Sequence, residues 1–398
     1  MLELVCGLSF DAEHSDDFFS MLPPRAGVCL IELQDEKAEP LLIRTQDLRR
    51  RLQRLLGPPD PESKRLNLRA VARGIHYRLT GSRFEQIYTY YQHARQLFPN
   101  RYRKLMRLRP PAILKVSLRN AYPRCYVTRR IPVDAAGMPT VGAYYGPFAS
   151  RRLAEGFAGS ALDFFKMRRC QIKIRRDPEF PGCIYSEMKM CLAPCFAGCS
   201  KEEYDLEVEK LVRFLDTSGR SLRNSLEQER ESASEQLDFE RAAALHKKIE
   251  KLDDALRGSP ELPRRVQDLN AVILQRSVEE QSIAVYALRG GWLMEPTFVR
   301  FAEIAGQPRS AEQIFREYLE SPSPQPSTAP DETAAPNKDT LSEHLWLLAR
   351  WYYSNPREGE IFFREKDWPY RRIMRGCSRL LAPKAESDSS NAPGTPAS

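Results

Sequence analysis

No apolar run in this 398-residue chain approaches eighteen residues, so no transmembrane helix is expected. A secretory leader is not read either: Met1-Leu2-Glu3-Leu4 lacks a basic head, and the apolar residues soon give way to Asp11, Glu13 and Asp16. The chain is therefore expected to be cytoplasmic, where thiols stay reduced. Acidic residues are scarce over one long stretch. Between Arg101 and Arg176 only Asp134, Glu155 and Asp163 stand against eighteen Lys and Arg, although the whole chain carries a net charge of just +8. Tyr122, Tyr126, Tyr144, Tyr145 and Phe148 are interleaved with those cations. Such a face is expected to bind a polyanion such as a nucleic acid, and a plain solvated surface is the alternative.

What is abundant is cysteine, and it is concentrated. Cys170, Cys183, Cys191, Cys195 and Cys199 fall within thirty residues, five of the nine in the chain. In a reducing compartment a clustered set reads as metal or cluster ligation before disulfides. Structural zinc sites usually take two close Cys pairs, and only Cys191 and Cys195 are close here. Four thiolates arriving singly also suit an iron–sulfur cluster, so spacing alone leaves both open. Cys199 is a spare ligand or a bystander.

Length allows two to four domains. Residues 1–22 read as a lead-in helix ending at Pro23-Pro24. Gly27–Leu33 and Glu39–Arg44 read as a hairpin around the polar turn 34–37. A helix capped by Thr45 or Asp47 follows, lined by Leu48, Leu52, Leu55 and Leu56. His76–Leu79 is a strand, and a helix from Arg83 stops before Pro99. Strands are expected at Lys115–Leu118 and Cys125–Thr128, and a helix over Arg152–Phe165. Ser200-Lys-Glu-Glu203 is a capping box opening a long helix. In Leu237–Leu252 the residues Phe239, Ala242, Ala243, Leu245, Ile249 and Leu252 recur at helical steps as a narrow apolar seam, with His246 at the surface. Further strands are read at Ala271–Leu274, Ser282–Tyr286 and Trp292–Glu295, with Arg289-Gly-Gly as a turn. Helices follow at Ala311–Leu319 and Leu341–Tyr353. Residues 321–339 read as a flexible insert and 382–398 as a disordered tail.

Several of these stretches together resemble the UvrC family of DNA excinucleases. The carriers are Ala121-Tyr-Pro-Arg124, Tyr145-Gly-Pro-Phe148, the four cysteines and Leu237-Asp-Phe-Glu-Arg-Ala-Ala-Ala-Leu245, which is similar to the UVR motif. The opening elements resemble a GIY-YIG nuclease domain with most of its chemistry replaced. Gly27-Val28-Cys29 puts a cysteine where the family has its first tyrosine, and Leu41-Leu42-Ile43-Arg44 loses the second. Asp47–Leu52 retains an arginine as Arg51, and Tyr90 stands where the metal-binding glutamate belongs; Glu85 substitutes only if the alignment is shifted. Phosphodiester hydrolysis needs a carboxylate-held divalent ion and an activated nucleophile, so no such ion is expected here.

The resemblance implies an iron–sulfur cluster, of the 4Fe-4S type, on Cys170, Cys183, Cys191 and Cys195, with zinc as the alternative. It implies DNA contacts among Arg44, Arg49, Arg51, Arg124, Arg168 and Arg169, and a UvrB-like partner docked on the seam of the UVR hairpin. The expected fold class is α+β and multidomain. Its parts are a degenerate GIY-YIG-like domain (21–112), a basic Cys-rich segment (113–200), a UVR helical hairpin (201–258) and a small α/β segment (265–376). The expected function is an accessory or regulatory DNA-binding protein of nucleotide excision repair. The competing readings are an active excision endonuclease working through Arg51 and Glu85, and a redox-sensing DNA-binding regulator.

Overall fold

The computed structural model describes residues 3–60, 62, 64–257, 260–304, 309–321 and 339–382. They form an α+β fold with three small antiparallel sheets and one helical hairpin. Residues 322–338 and 383–398, where the flexible insert and the tail were expected, lie outside the described residues.

The first unit runs β1 (Cys6–Ser9), α1 (Ser15–Met21), β2 (Gly27–Leu33), β3 (Leu41–Thr45), α2 (Leu48–Leu56), β4 (Ala72–Leu79), α3 (Arg83–Leu97) and the single turn α4 (Tyr102–Leu105). Its strands are ordered β1-β4-β2-β3. The β2–β3 hairpin forms as its apolar runs dictate, with Cys29 opposite Ile43. Asp47 caps α2 by accepting the Arg50 amide at 2.9 Å, and the four leucines of that helix are buried. The lead-in is not a helix throughout. Cys6–Ser9 instead pairs with β4, Cys6 opposite Tyr77, because the outer edge of β4 would otherwise expose a row of unpaired backbone groups. Both faces of the sheet are covered. Cys29, Ile31 and Ile43 pack under α1 and α2, whereas Val28 and Leu42 face α3.

The second unit contains β5 (Ala112–Val116), β6 (Cys125–Thr128), β7 (Ala143–Phe148), α5 (Arg151–Leu162), the short α6 (Ile184–Glu187) and α7 (Lys201–Asp216). The hairpin α8 (Arg220–Glu235) and α9 (Phe239–Leu256) follows, and β8 (Arg264–Arg265) then returns to pair with β7. The sheet order is β6-β5-β7-β8. The expected boundary at residue 200 runs through one core: Leu114, Val116, Ala154, Tyr204, Leu211, Ile249 and Leu252 belong to the same apolar cluster. Ser200 and Glu203 close the capping box at α7. The turn into α8 uses Gly219 at φ +88°, where a Cβ would collide with Leu256. A small clasp holds the two roots of the hairpin. The Tyr145 hydroxyl donates to Asp216 at 2.8 Å, and the Arg265 guanidinium pairs with the same carboxylate at 2.9 Å.

The last unit comprises β9 (Ala271–Arg276), β10 (Ser282–Arg289), β11 (Trp292–Leu293), β12 (Thr297–Arg300), the short α10 (Phe301–Ile304), α11 (Ala311–Glu320), α12 (Thr340–Tyr352), β13 (Glu360–Phe363) and α13 (Tyr370–Leu381). Its sheet is ordered β11-β10-β9-β13, with β12 also on β10. This unit shares a core with the first. Phe84 and Tyr88 of α3 meet the Tyr286 ring edge-on, at centroid distances of 4.9 and 5.5 Å. Gly81 lets the preceding loop touch the backbone of Ser277, an approach that any Cβ would block. Beside that seam the buried Glu343 carboxylate accepts from Tyr91 (2.7 Å), Tyr102 (2.6 Å) and Arg103 (2.7 Å), joining α3, α4 and α12.

The neighbouring His344 is buried, and its Nδ1 accepts the Leu293 amide at 3.1 Å. Burial, helped by Arg95, draws its pKa from 6.5 down to about 3. The unfolded chain takes up that proton below pH 6.5 and the folded chain does not, so stability falls as pH drops from 6.5 towards 3. Lowering the pH from 7 to 5 is expected to cost about 2 kcal/mol through this group, read as a shift in urea midpoint. His344→Gln removes that part of the slope.

Candidate cysteine centre, helical hairpin and basic face

The segment between α5 and α7 has little regular structure, and it is held by fixed points at its base. Tyr204, fully buried on α7, donates to the Pro123 carbonyl at 2.7 Å and accepts the Arg168 amide at 3.1 Å. The Arg168 guanidinium donates to the carbonyls of Tyr122 (3.0 Å) and Ile172 (2.7 Å). Further out, the Asp177 amide donates to the Cys195 carbonyl at 2.9 Å, and the Leu192 amide to Lys166 at 3.0 Å. These bonds bring the limb carrying Cys170 and Cys183 against the loop carrying Cys191 and Cys195. Ala193 and Ala197 adopt left-handed backbone on either side of a single 3-10 turn, Pro194–Phe196, which makes the loop tight.

Cys191 and Cys195 each lie in electrostatic reach of Cys170 and Cys183. Burial pushes the Cys191 thiol up to about 11; the Ala193 amide, 3.3 Å from its sulfur, opposes this, and Cys170, Cys195 and Cys183 add to it by like-charge repulsion. Cys195 is raised for the same reasons, burial first, with Cys183 and Cys170 again in electrostatic reach. Among the described residues no three His, Cys, Asp or Glu side chains already stand at metal-ligating separations. An all-thiolate set favours soft metals, which fits zinc and iron–sulfur alike. Cys199 is buried in the adjoining apolar core, in electrostatic reach of Cys195 and Arg176.

The hairpin differs from the single seam expected of it. Leu245, Ile249 and Leu252 are buried against the second unit, with Ala242 partly so. Phe239 is 68% exposed and Ala243 is exposed as well. At 100° per residue, Phe239 and Ala243 turn away from the stripe centred on Leu245 and Ile249. The six residues therefore serve two faces. Leu237, which sequence reading did not single out, sits at φ +58° in the α8–α9 turn and is 72% exposed, adding to the apolar tip.

The expected DNA contacts separate as sharply. Arg168 is 6% exposed and ties backbone together, so it is not available to a ligand. Arg169 pairs with Asp163 at 2.8 Å and is mostly covered. Arg49 donates to the carbonyls of Leu22 and Ser20, closing the end of α1. Arg51 lies half-buried on α2. Arg44 is exposed beside the Tyr90 ring, and Arg124 stacks on Tyr126 at 4.4 Å. The nuclease-like positions are occupied by structural groups. Cys29 is fully buried in β2, and burial pushes its thiol up to about 12. Glu85, 1% exposed, accepts the Gly81 amide at 2.8 Å and lies 3.8 Å from Arg78, so its carboxylate is not free to hold a solvent-exposed ion.

The middle domain of UvrC/Cho excinucleases matches residues 112–214, and the UvrB/UvrC motif matches residues 220–255. The chain is similar to UvrABC system protein C of Ruminiclostridium cellulolyticum, 31% identical over 45% of this chain and 28% of that one. Its likeness to the same protein of Carboxydothermus hydrogenoformans is 26% over 86% of this chain and 55% of the relative. For Desulfatibacillum aliphaticivorans the figures are 25%, 65% and 40%. The chain belongs to the UvrC family, and it spans between about a quarter and about half of the length of these relatives. No solved structure matches it. Among the described residues no helix is long and apolar enough to cross a membrane.

Two hairpin substitutions separate its faces. Leu252→Ala, in the shared core, is expected to destabilise the protein by about 2–5 kcal/mol. Phe239→Ala, at the exposed tip, is expected to stay within about 0.5 kcal/mol of the parent. Chemical denaturation of both variants checks the contrast.

Proposed function

We propose that this chain is a DNA-associated accessory protein of nucleotide excision repair, docking a UvrB-type helical hairpin on the exposed tip of α8–α9. The observation that carries this reading is the tip itself. Phe239 and Leu237 lie in the open while Leu245, Ile249 and Leu252 anchor the hairpin below them. An aromatic anchor left in solvent on a rigid support is the kind of residue that dominates helix-pair interfaces. The family membership supplies the partner, and the basic stretch supplies the affinity for DNA. Cys29 and Glu85 argue against cutting within the first unit, which we read as a nuclease fold retained as scaffold: neither a carboxylate facing solvent nor a tyrosine stands at those positions.

On the family resemblance we read the cysteine centre as the seat of a 4Fe-4S cluster on Cys170, Cys183, Cys191 and Cys195, with zinc as the alternative. When bound, such a group would chiefly supply folding energy to a segment with few apolar residues of its own. Arg168 and Tyr204 hold the base of that segment, so the loop presents its thiols from a fixed support.

Reconstitution tests the functional reading. Purified protein is expected to bind duplex DNA and to capture a UvrB-type hairpin, with Phe239→Ala abolishing capture and leaving the fold intact. In Mg2+ or Mn2+ it is expected to leave damaged and nicked duplexes uncut. Incision that disappears in Arg51→Ala would overturn the accessory role. The centre has its own test. Protein prepared without oxygen should be brown, with broad absorption in the blue from thiolate-to-iron charge transfer. A colourless product with one zinc per chain would leave a four-thiolate site and refute the cluster.

A further inference from the structure

The residues first read as DNA contacts are largely engaged elsewhere, yet one edge of the second sheet holds cations that are not. The register of β5 sets Lys115 opposite Tyr126 on β6 and opposite Tyr144 on β7. Aromatic, cation and aromatic thus form one row across three strands. The Lys115 ammonium lies 5.1 Å from the Tyr144 ring centroid and 6.0 Å from that of Tyr126. The Arg124 guanidinium sits over the Tyr126 ring at 4.4 Å. Elsewhere in the basic stretch several arginines are neutralised: Arg103 by Glu343, Arg151 by Glu155, Arg169 by Asp163. Lys115 and Arg124 have no carboxylate partner among the described residues.

Their neighbourhood reinforces this. β6 is the last strand of its sheet, so the edge is open. The sequence from Arg101 to Val133 contains no acid at all, and Arg119, Arg129 and Arg130, which flank β6 in the chain, are exposed. Cations held on aromatic rings lose little rotamer freedom when they meet an anion, which makes them efficient phosphate ligands. The same rings argue against stacked nucleobases. Tyr144 is fully buried and Tyr126 carries Arg124 and Lys115, so this row offers no free aromatic platform of the sort that single strands use. The partner that matches is a double helix, with its bases turned inward and its phosphates outward.

We propose that the β5–β6 strand pair, beside the unpaired edge of β6, grips the backbone of a DNA duplex, with Lys115 and Arg124, oriented by Tyr126 and Tyr144, on its phosphates. This rests on the DNA-binding reading above and names the surface that performs it.

The test is fluorescence anisotropy of the full-length, metal-replete protein with a labelled duplex, the corresponding single strand and an oligo-glutamate peptide. The parent is expected to prefer the duplex. The double variant Lys115→Gln/Arg124→Gln should bind duplex about tenfold more weakly, with a salt dependence shallower by about two units. Tyr126→Ala, which keeps both charges, should weaken binding about fivefold by releasing the cations from their ring. Arg371→Gln/Arg375→Gln, the same loss of two charges on the exposed face of α13, should change nothing. Arg124→Lys guards against a folding artefact: with an unaltered melting temperature it should still weaken binding about threefold, since an ammonium cannot reproduce the stacked fork. Parental affinity in these variants overturns the proposal while leaving DNA binding standing. So does tighter binding of the single strand. Capture of the peptide with the same dependence on Lys115 and Arg124 reassigns the edge to an acidic protein. A parent that binds no DNA removes both this surface and the reading on which it rests.

Discussion

Tyr204 is the point on which the middle of the molecule depends. It is fully buried, and its one hydroxyl satisfies the Pro123 carbonyl and the Arg168 amide together. Through those two bonds α7 is fixed to the strand that leads into β6 and to the limb that carries Cys170. A hydroxyl in this position is obliged to find both partners, because an unsatisfied polar group here would lose its hydration without compensation. The consequence is a cysteine loop whose own backbone is irregular but whose attachment is not. Arg168 extends the same knot by two further backbone bonds, which accounts for a fully charged side chain lying inside the protein.

A comparable constraint acts on the first unit. Its β2 strand is packed on both faces, Cys29 and Ile31 against α1 and α2, Val28 on the side of α3 and the last sheet. A working nuclease must leave part of such a sheet open to a phosphodiester. Here the contact of α3 with Tyr286 and Trp351 and the Gly81–Ser277 approach place another unit directly beside it. Cys29 and Glu85 accordingly serve as core and support in this unit, the one buried in β2 and the other holding the Gly81 amide.

Local pattern carried a large part of this architecture. The β2–β3 hairpin, the Asp47 cap, the capping box at Ser200 and the helices around Leu211 and Leu245 follow from apolar spacing and capping residues alone. What escaped was set by distant partners. Cys6–Ser9 is a strand because β4 has an edge to fill, and β12, β13 and α13 exist because the last sheet offers them partners. The site residues divide in the same manner. That five cysteines cluster between 170 and 199 is plain from their spacing. Counting charges could not reveal that Arg168 turns inward while Arg124 stays out, since that depends on Tyr204 and on a ring two residues along. The helical period of the hairpin was legible, but the division of Phe239 from Leu252 depends on which stripe of α9 meets α8 and α5.

The clasp of Tyr145, Asp216 and Arg265 gives the hairpin an unusual standing in the chain. Its two roots are fastened to the same sheet, the outgoing one through the end of α7 and the returning one through β8 on β7. Topologically the hairpin is a closed excursion, a spur that leaves the body and comes back to its point of departure. Force applied at its tip travels down two antiparallel helices to one joint instead of along the chain towards the last unit. Such a spur can lengthen or shorten by whole helical turns over evolution while the sheet beneath keeps its register, because nothing in β5, β6 or β7 depends on how far the excursion reaches.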